Sequence, residues 1–229
     1  MKLIRPHYVL YSEGLSGHEI LCKLEQIGRL SHQSVDKVSE GSAEKFIAKW
    51  AIGAGHGSIL RHQTMTVRII CSRAVSHQLV RHGLADFMQE SQRYCRYNGH
   101  VQFVIPEWIG DKIEPGEYTE ESQIKLTPPS SGARVWIRQM FQAEQAYHDL
   151  LAAGRKPEEA RGVLPNDAKT EIYITANLEE WRHIFKARTS KHADPATREI
   201  MIPVLEQAKN YIPVVFDDIE PYRDSGLAK

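Results

Sequence analysis

The sequence predicts an α+β fold of one domain, on three observations. Within residues 63–71, Met65, Val67, Ile69 and Cys71 alternate with Thr64, Thr66 and Arg68, the period of a strand with one buried face. Residues 133–153 carry Trp136, Met140, Ala143, Tyr147, Leu150 and Leu151 at helical spacing, the longest such run in the chain. The 229 residues show no internal repeat, low-complexity run or linker, and with 41% hydrophobic residues they can bury a core.

Residues 2–11 are β-branched and aromatic enough for a first strand, with Pro6 marking an edge or bulge. Ile20, Leu21, Leu24 and Ile27 predict a helix over 17–29. Ser42 is placed to cap a second helix striped by Phe46, Ile47 and Trp50, which breaks up at Gly53 and Gly55. After the 63–71 strand, a helix is expected over 72–82, with Gly83 as its left-handed terminator. Residues 92–105 read as one or two strands around Asn98-Gly99, and 106–132, with four prolines, as a long loop. Gly154 ends the long helix, and Pro157 suits the first turn of a short one stopped by Pro165. A strand over 170–176 and helices over 178–187 and 195–210, the latter perturbed at Pro203, complete the chain.

Bulk composition narrows the function. Lys+Arg and Asp+Glu both number 29, so the formal net charge is zero, which argues against general nucleic-acid binding. Cys22, Cys71 and Cys95 form no C-x-x-C pair and fit a reducing compartment. No stretch approaches a membrane span, and MKLIRPHYVLYSEG has no signal-peptide anatomy, so a soluble cytoplasmic protein is expected.

Candidate chemistry concentrates in QLVRHGLADFMQESQRYCRY, residues 78–97. Arg81, Arg93 and Arg96, with Arg73 just upstream, stand among His82, Gln78, Gln89, Glu90 and Ser91, a mixture that a buried core does not need. On a 72–82 helix, Gln78, Arg81 and His82 would share one face, as an anion-holding group or as a solvated surface. In extended backbone, Gln89, Ser91 and Arg93 would point to one side and suit a nucleotide, or would simply form a polar strand edge. Arg161, Asn177, Arg182, His183 and Arg188 repeat the theme near the carboxyl terminus. There is no Ser-His-Asp order, Walker loop or G-x-G-x-x-G. His56 and His62 lack an acidic or cysteine partner at ligand spacing, so no metal is expected, and Cys95 reads as a buried thiol rather than a nucleophile.

At RHGLADFMQESQRY (81–94) the sequence resembles the flavin-dependent thymidylate synthases, whose signature is Arg-His-Arg, seven residues, Ser, then Arg-Tyr; Arg81, His82, Ser91, Arg93 and Tyr94 fall in place. GHGSILRH (55–62), EARGVLPNDAKTE (159–171) and TANLEEWRHIFKAR (175–188) are similar to three further segments of that family. The resemblance implies a mixed or antiparallel sheet with long helices and a homotetramer with shared active sites. It implies FAD as cofactor, NADPH as reductant, and transfer of a one-carbon unit from 5,10-methylenetetrahydrofolate to C5 of dUMP. By position it sets Ser31, Ser58, Arg81, His82, Gly83, Gln89, Asn177 and His183 against the flavin, and His56 near flavin and folate. Gln78, Arg81, Gln89, Glu90, Ser91, Arg93, Arg161 and Arg188 would hold dUMP, with Arg188 at the uracil ring and Ser91 a substrate ligand.

Three positions depart from the family pattern: Gly83 for the second arginine of the signature, Arg61 for an acid and Glu179 for an arginine. They keep open a C5 methylase or hydroxymethylase of UMP or another pyrimidine nucleotide, and a family member without catalysis. A rival of another class is a nucleic-acid binding module, because residues 61–96 are locally basic and Phe87, Tyr94 and Tyr97 could stack on bases.

Overall fold

The computed structural model describes residues 1–12, 14–119 and 130–223. Its elements are strands β1 (Lys2–Ile4), β2 (His7–Tyr11), β3 (Thr64–Ser72), β4 (Ala85–Gln89), β5 (Gln102–Val104), β6 (Gly116–Glu117) and β7 (Lys169–Asn177). The helices are α1 (Gly17–Leu30), α2 (Ser42–Phe46), α3 (Arg73–Leu79), α4 (Ser131–Ala152), α5 (Pro157–Ala160), α6 (Leu178–Arg188) and α7 (Pro195–Tyr211). The α+β class expected from the pattern is what forms. One sheet has the order β5-β1-β6, and a four-stranded sheet the order β2-β3-β7-β4.

The chain makes two compact units, neither a continuous stretch. The first comprises Met1–His7, Ile69–Arg81 and Met88–Ile172. In it β1 pairs parallel with β5 and antiparallel with β6, with Leu3 opposite Phe103 and Gly116. Leu3 and Phe103 are fully buried, and Trp136, Met140 and Tyr147 of α4 join them in one apolar core. The predicted stripe of α4 is therefore its buried face. Glu144 on the same helix is buried and accepts from the Val101 N–H at 2.8 Å while pairing with the amino terminus at 2.7 Å.

The second unit comprises Tyr8–Arg68, His82–Phe87 and Tyr173–Lys229. Ser16 and Glu19 close a capping box at the start of α1, which buries Ile20, Leu21 and Leu24. Helix α1 can lie this close only because residue 17 is glycine: a Cβ there would come within 1.9 Å of the Tyr211 carbonyl oxygen. Trp181 and Phe185 of α6 are fully buried, and the Trp181 ring N–H donates to the Met65 carbonyl at 2.7 Å.

Several boundaries differ from expectation. Arg5 and Pro6 divide the predicted first strand into β1 and β2, which lie in different sheets. Left-handed Gly41 caps α2, and Ser42, its first residue, donates to Glu25 at 2.8 Å; α2 continues as a π-helix over Ile47–Gly53. Helix α3 stops at Leu79, so Gln78, Arg81 and His82 do not share a helical face, and Gly83 is not left-handed. No hairpin forms at Asn98-Gly99: the chain turns at 92–94, and β5 pairs with β1. Part of the expected 106–132 loop is a 3-10 turn over Glu107–Lys112 and strand β6, while residues 120–129 lie outside the described residues. Gly154, at φ +82°, ends α4 as predicted.

Candidate active site

A cavity of about 520 Å³ opens in the second unit, lined by Ile27, Gly28, Arg29, Ser31, His32, Ser34, Lys37, Phe46, Trp50, His56, Ser58, Ile59 and His62. Its size is ordinary for a cofactor site. The helical turns either side of Gly53 and Gly55 present Trp50 and His56 to it as a stacked pair, ring centroids 5.9 Å apart at 24°. Lys49 sits 4.7 Å over the Trp50 ring. Among the described residues no Asp or Glu lines the cavity, whereas Arg29, Lys37, three histidines and three serines do. Arg29 is anchored from below, its Nε donating to buried Glu25 at 2.8 Å with its guanidinium 4.8 Å over Phe46. Such a lining suits a flat aromatic ring carrying an anionic tail, and so fits a flavin nucleotide. The structure thus brings together three sequence-predicted residues, Ser31, His56 and Ser58. Phe46, Trp50 and Lys37, which sequence reasoning did not place at the site, join them; Trp50 lies in the π-helix over Ile47–Gly53 and is exposed rather than part of a buried stripe.

Still within the second unit, β4, β7 and α6 supply a second group. Asn177 is the N-cap of α6, its side chain accepting from the Glu180 N–H at 2.9 Å, so its carbonyl is committed to the helix. At the other end of α6, Arg188 Nε donates to His82 Nε2 at 2.9 Å. His183 meets His82 edge-on with centroids 5.5 Å apart, and Glu180 Oε1 lies 3.6 Å from His82 Nδ1. His82 is 6% exposed. Burial, then Arg188 and His183, push its imidazole down to about 4 from an ordinary 6.5, so it is neutral near pH 7. With Nε2 accepting from Arg188, the proton belongs on Nδ1. Burial also lowers the Arg188 guanidinium from its usual value. Potential ligand atoms of His82, Glu180 and His183 lie within 4.8 Å of one another, a cluster the sequence analysis did not group. The Arg188 cation bonded to His82 opposes a metal ion there.

Gly83 follows His82 in the second unit, and the remaining predicted residues belong to the first. The Gln89 amide nitrogen donates to Ser76 Oγ at 2.9 Å and Thr170 Oγ1 at 3.1 Å, leaving its carbonyl oxygen to meet a ligand. Glu90 is doubly held: Tyr97 O–H donates to Oε1 at 2.8 Å and Lys169 Nζ to Oε2 at 2.6 Å. Burial, followed by the Glu90 bond and charge, raises the Tyr97 phenol, keeping it a donor. The strand ends at Gln89, so Ser91 and Arg93 do not continue its face; Ser91 instead opens a turn and its Oγ accepts from the Arg93 N–H at 3.3 Å. Arg93 pairs with Glu158 at 2.9 Å. Arg81 and Arg161 are exposed and Gln78 is half-buried. Lys169, unremarked in the sequence, is the missed member of this group; its place two positions before Glu171 in β7 gave no signal by itself.

The expected buried thiol is Cys71, not half-buried Cys95. Burial pushes the Cys71 thiol up to about 12, so it is no nucleophile at neutral pH. Among the described residues no helix is long and apolar enough to cross a membrane.

Comparison with known proteins gives a consistent result. Residues 20–214 match the family described as thymidylate synthase complementing protein. A flavin-dependent thymidylate synthase from Pyrococcus furiosus is 35% identical over 198 residues, covering 85% of this chain and 72% of the relative. One from Corynebacterium aurimucosum is 31% identical over 214 residues, covering 90% and 82%. In three dimensions the chain resembles the UMP/dUMP methylase PolB from Streptomyces cacaoi bound with 5-Br dUMP, with TM-score 0.74, 23% identity and coverage of 95% and 96%. It also resembles thymidylate synthase X from Helicobacter pylori with FAD and dUMP, with TM-score 0.68, 16% identity and coverage of 94% and 98%. At those identities the solved structures speak to the fold.

Proposed function

Because the chain belongs to the flavin-dependent thymidylate synthase family, we propose that it methylates C5 of dUMP to give dTMP, with the one-carbon unit drawn from 5,10-methylenetetrahydrofolate and electrons from NADPH. When bound, FAD supplies the redox chemistry, relaying those electrons. The observation that carries this reading is the carboxylate-free cavity of about 520 Å³ around Trp50 and His56.

What the chain itself contributes is binding, orientation and charge. Ser31, Ser58, Arg81, His82, Gly83, Gln89, Asn177 and His183 are assigned to the flavin, and His56 to the junction of flavin and folate. Gln78, Arg81, Gln89, Glu90, Ser91, Arg93, Arg161 and Arg188 are assigned to the nucleotide. Neutral His82 fixes Arg188 by its Nε, and the guanidinium then favours the N3-deprotonated form of the uracil ring. Glu90, locked by Tyr97 and Lys169, holds a fixed acceptor toward the nucleotide. Arg93 can exchange its exposed Glu158 partner for phosphate at little cost, since surface ion pairs contribute at most about 1 kcal/mol. The assembly is a homotetramer with active sites shared between subunits, each chain acting as one domain.

A second reading follows from Gly83, around which a Cβ would meet nothing within 4 Å. The space left by the missing arginine suits a UMP-directed methylase or hydroxymethylase. One experiment separates the readings. The purified protein should be yellow, its flavin absorbance should bleach with NADPH, and mass spectrometry with dUMP and UMP in competition should return dTMP. A modified UMP product favours the second reading, and a colourless protein that takes up no FAD sinks both.

A further inference from the structure

Two buried donors of the first unit are left without acceptors: Arg73 Nη1 and Gln92 Nε2. Gln92 is 8% exposed, and neither side chain makes a hydrogen bond or ion pair among the described residues. Arg73 as a whole is half-buried. Both residues attach to the segment that carries Gln89–Arg93. The Arg73 N–H donates to the Ala168 carbonyl at 3.1 Å, and Ser76 Oγ donates to the Arg73 carbonyl at 3.0 Å while accepting from Gln89. Arg73 and Lys169 both act on the Cys71 thiol, and Lys169 is the residue that holds Glu90. Gln92 lies in the turn directly between Ser91 and Arg93.

A buried guanidinium nitrogen and a buried amide nitrogen with no internal acceptor need one from outside the chain. Arg93 has a carboxylate partner in Glu158, whereas Arg73 has none among the described residues. The planar fork of arginine matches phosphate oxygens, and an amide N–H₂ adds a neutral donor. We propose that Arg73, with Gln92, binds the phosphate of the nucleotide substrate and positions it against Ser91 and Arg93. This rests on the proposed nucleotide reading. Arg73 lies outside all four signature segments, and Gln92 lies within the first of them.

The test is calorimetric titration of the intact flavoprotein and of R73A, R73K and Q92E with dUMP, deoxyuridine and inorganic phosphate, with thermal unfolding to verify folding. R73A should weaken dUMP at least tenfold and leave deoxyuridine unchanged; R73K should recover part of the loss, and the carboxylate of Q92E should repel dUMP selectively. Equal dUMP affinity in R73A and the parent would overturn the assignment, as would equal weakening of dUMP and deoxyuridine. A changed oligomer mass with unchanged dUMP affinity would overturn it in favour of a carboxylate from a second copy. A parent protein that binds inorganic phosphate through Arg73 but no pyrimidine nucleotide would uphold the phosphate site and refute the proposed function.

Discussion

Arg188 Nε donates a 2.9 Å hydrogen bond to His82 Nε2, joining the last turn of α6 to the loop before β4 inside one unit. The bond needs a neutral imidazole, and burial together with the guanidinium itself keeps it neutral. His82 therefore holds the guanidinium through a neutral acceptor and adds no negative charge of its own beside it. On the proposed assignment of Arg188 to the uracil ring, electrostatics favours this arrangement for stabilising negative charge there.

Arg188→Ala should abolish methyl transfer and leave flavin binding largely intact, because Arg188 is assigned to the nucleotide. Loss of an electrostatic ligand of this kind costs about 10²–10³ in kcat. Steady-state assays beside a flavin titration read both quantities. Flavin loss with retained turnover would mean that the roles are wrongly divided.

The same pair sets a pH dependence. His82 binds a proton at about 4 in the folded chain and near 6.5 when unfolded. Between those values the unfolded state holds the extra proton, so stability falls as pH drops through the window and is fully present above 6.5. The upper limit is about 3 kcal/mol, less whatever Glu180 returns by favouring the charged form. Urea unfolding at pH 4.5 and 7 should show a steeper loss in the parent than in His82→Gln. Equal slopes would mean that His82 is charged in the native protein.

What the sequence made legible follows from the range of the forces. Periodicity located β3, α1, α4, β7 and α6 because each buries one face, and a buried face writes its period into the chain. The pairings Gln89–Thr170 and Glu90–Lys169 span about 80 positions, and spacing carries nothing about contacts so distant. Treating 72–82 as one helix failed where Val80 ends α3, and that single boundary dissolved the shared face of Gln78, Arg81 and His82. The π-helix at Ile47–Gly53 likewise turned Trp50 from an expected core stripe into a cavity wall. The signature segments identified the family because they are local strings; the cavity is assembled from parts that no string records.

Gly28 offers a packing test of that cavity. A Cβ there would come within 2.6 Å of the Phe46 ring and 3.0 Å of Ile59. The Ile59 contact is its terminal methyl, but Phe46 is a rigid ring under the Arg29 guanidinium, so Gly28→Ala should cost about 1–3 kcal/mol by overpacking. It should also weaken flavin uptake, since Phe46 lines the site. Adding Phe46→Ala should restore part of the stability but not the binding. Chemical denaturation and FAD titration of the three variants decide it, and an unperturbed single variant would show that the ring yields freely.

Gly83 is the departure whose reversal the structure permits. Its backbone is not left-handed, and a Cβ would meet nothing within 4 Å, so an L side chain enters without strain or collision. Arginine there would add a cation two residues from Arg81. Gly83→Arg should therefore leave the melting temperature within a degree or two, since unstrained surface changes stay within about 0.5 kcal/mol. It should tighten FAD binding several-fold, with a gain that shrinks as salt is added. If the affinity falls instead, the added side chain occupies room that the ligand uses, and the glycine belongs to the pocket as an adaptation to a bulkier or differently placed substrate. Competition between dUMP and UMP in the variant then reports which nucleotide that room serves.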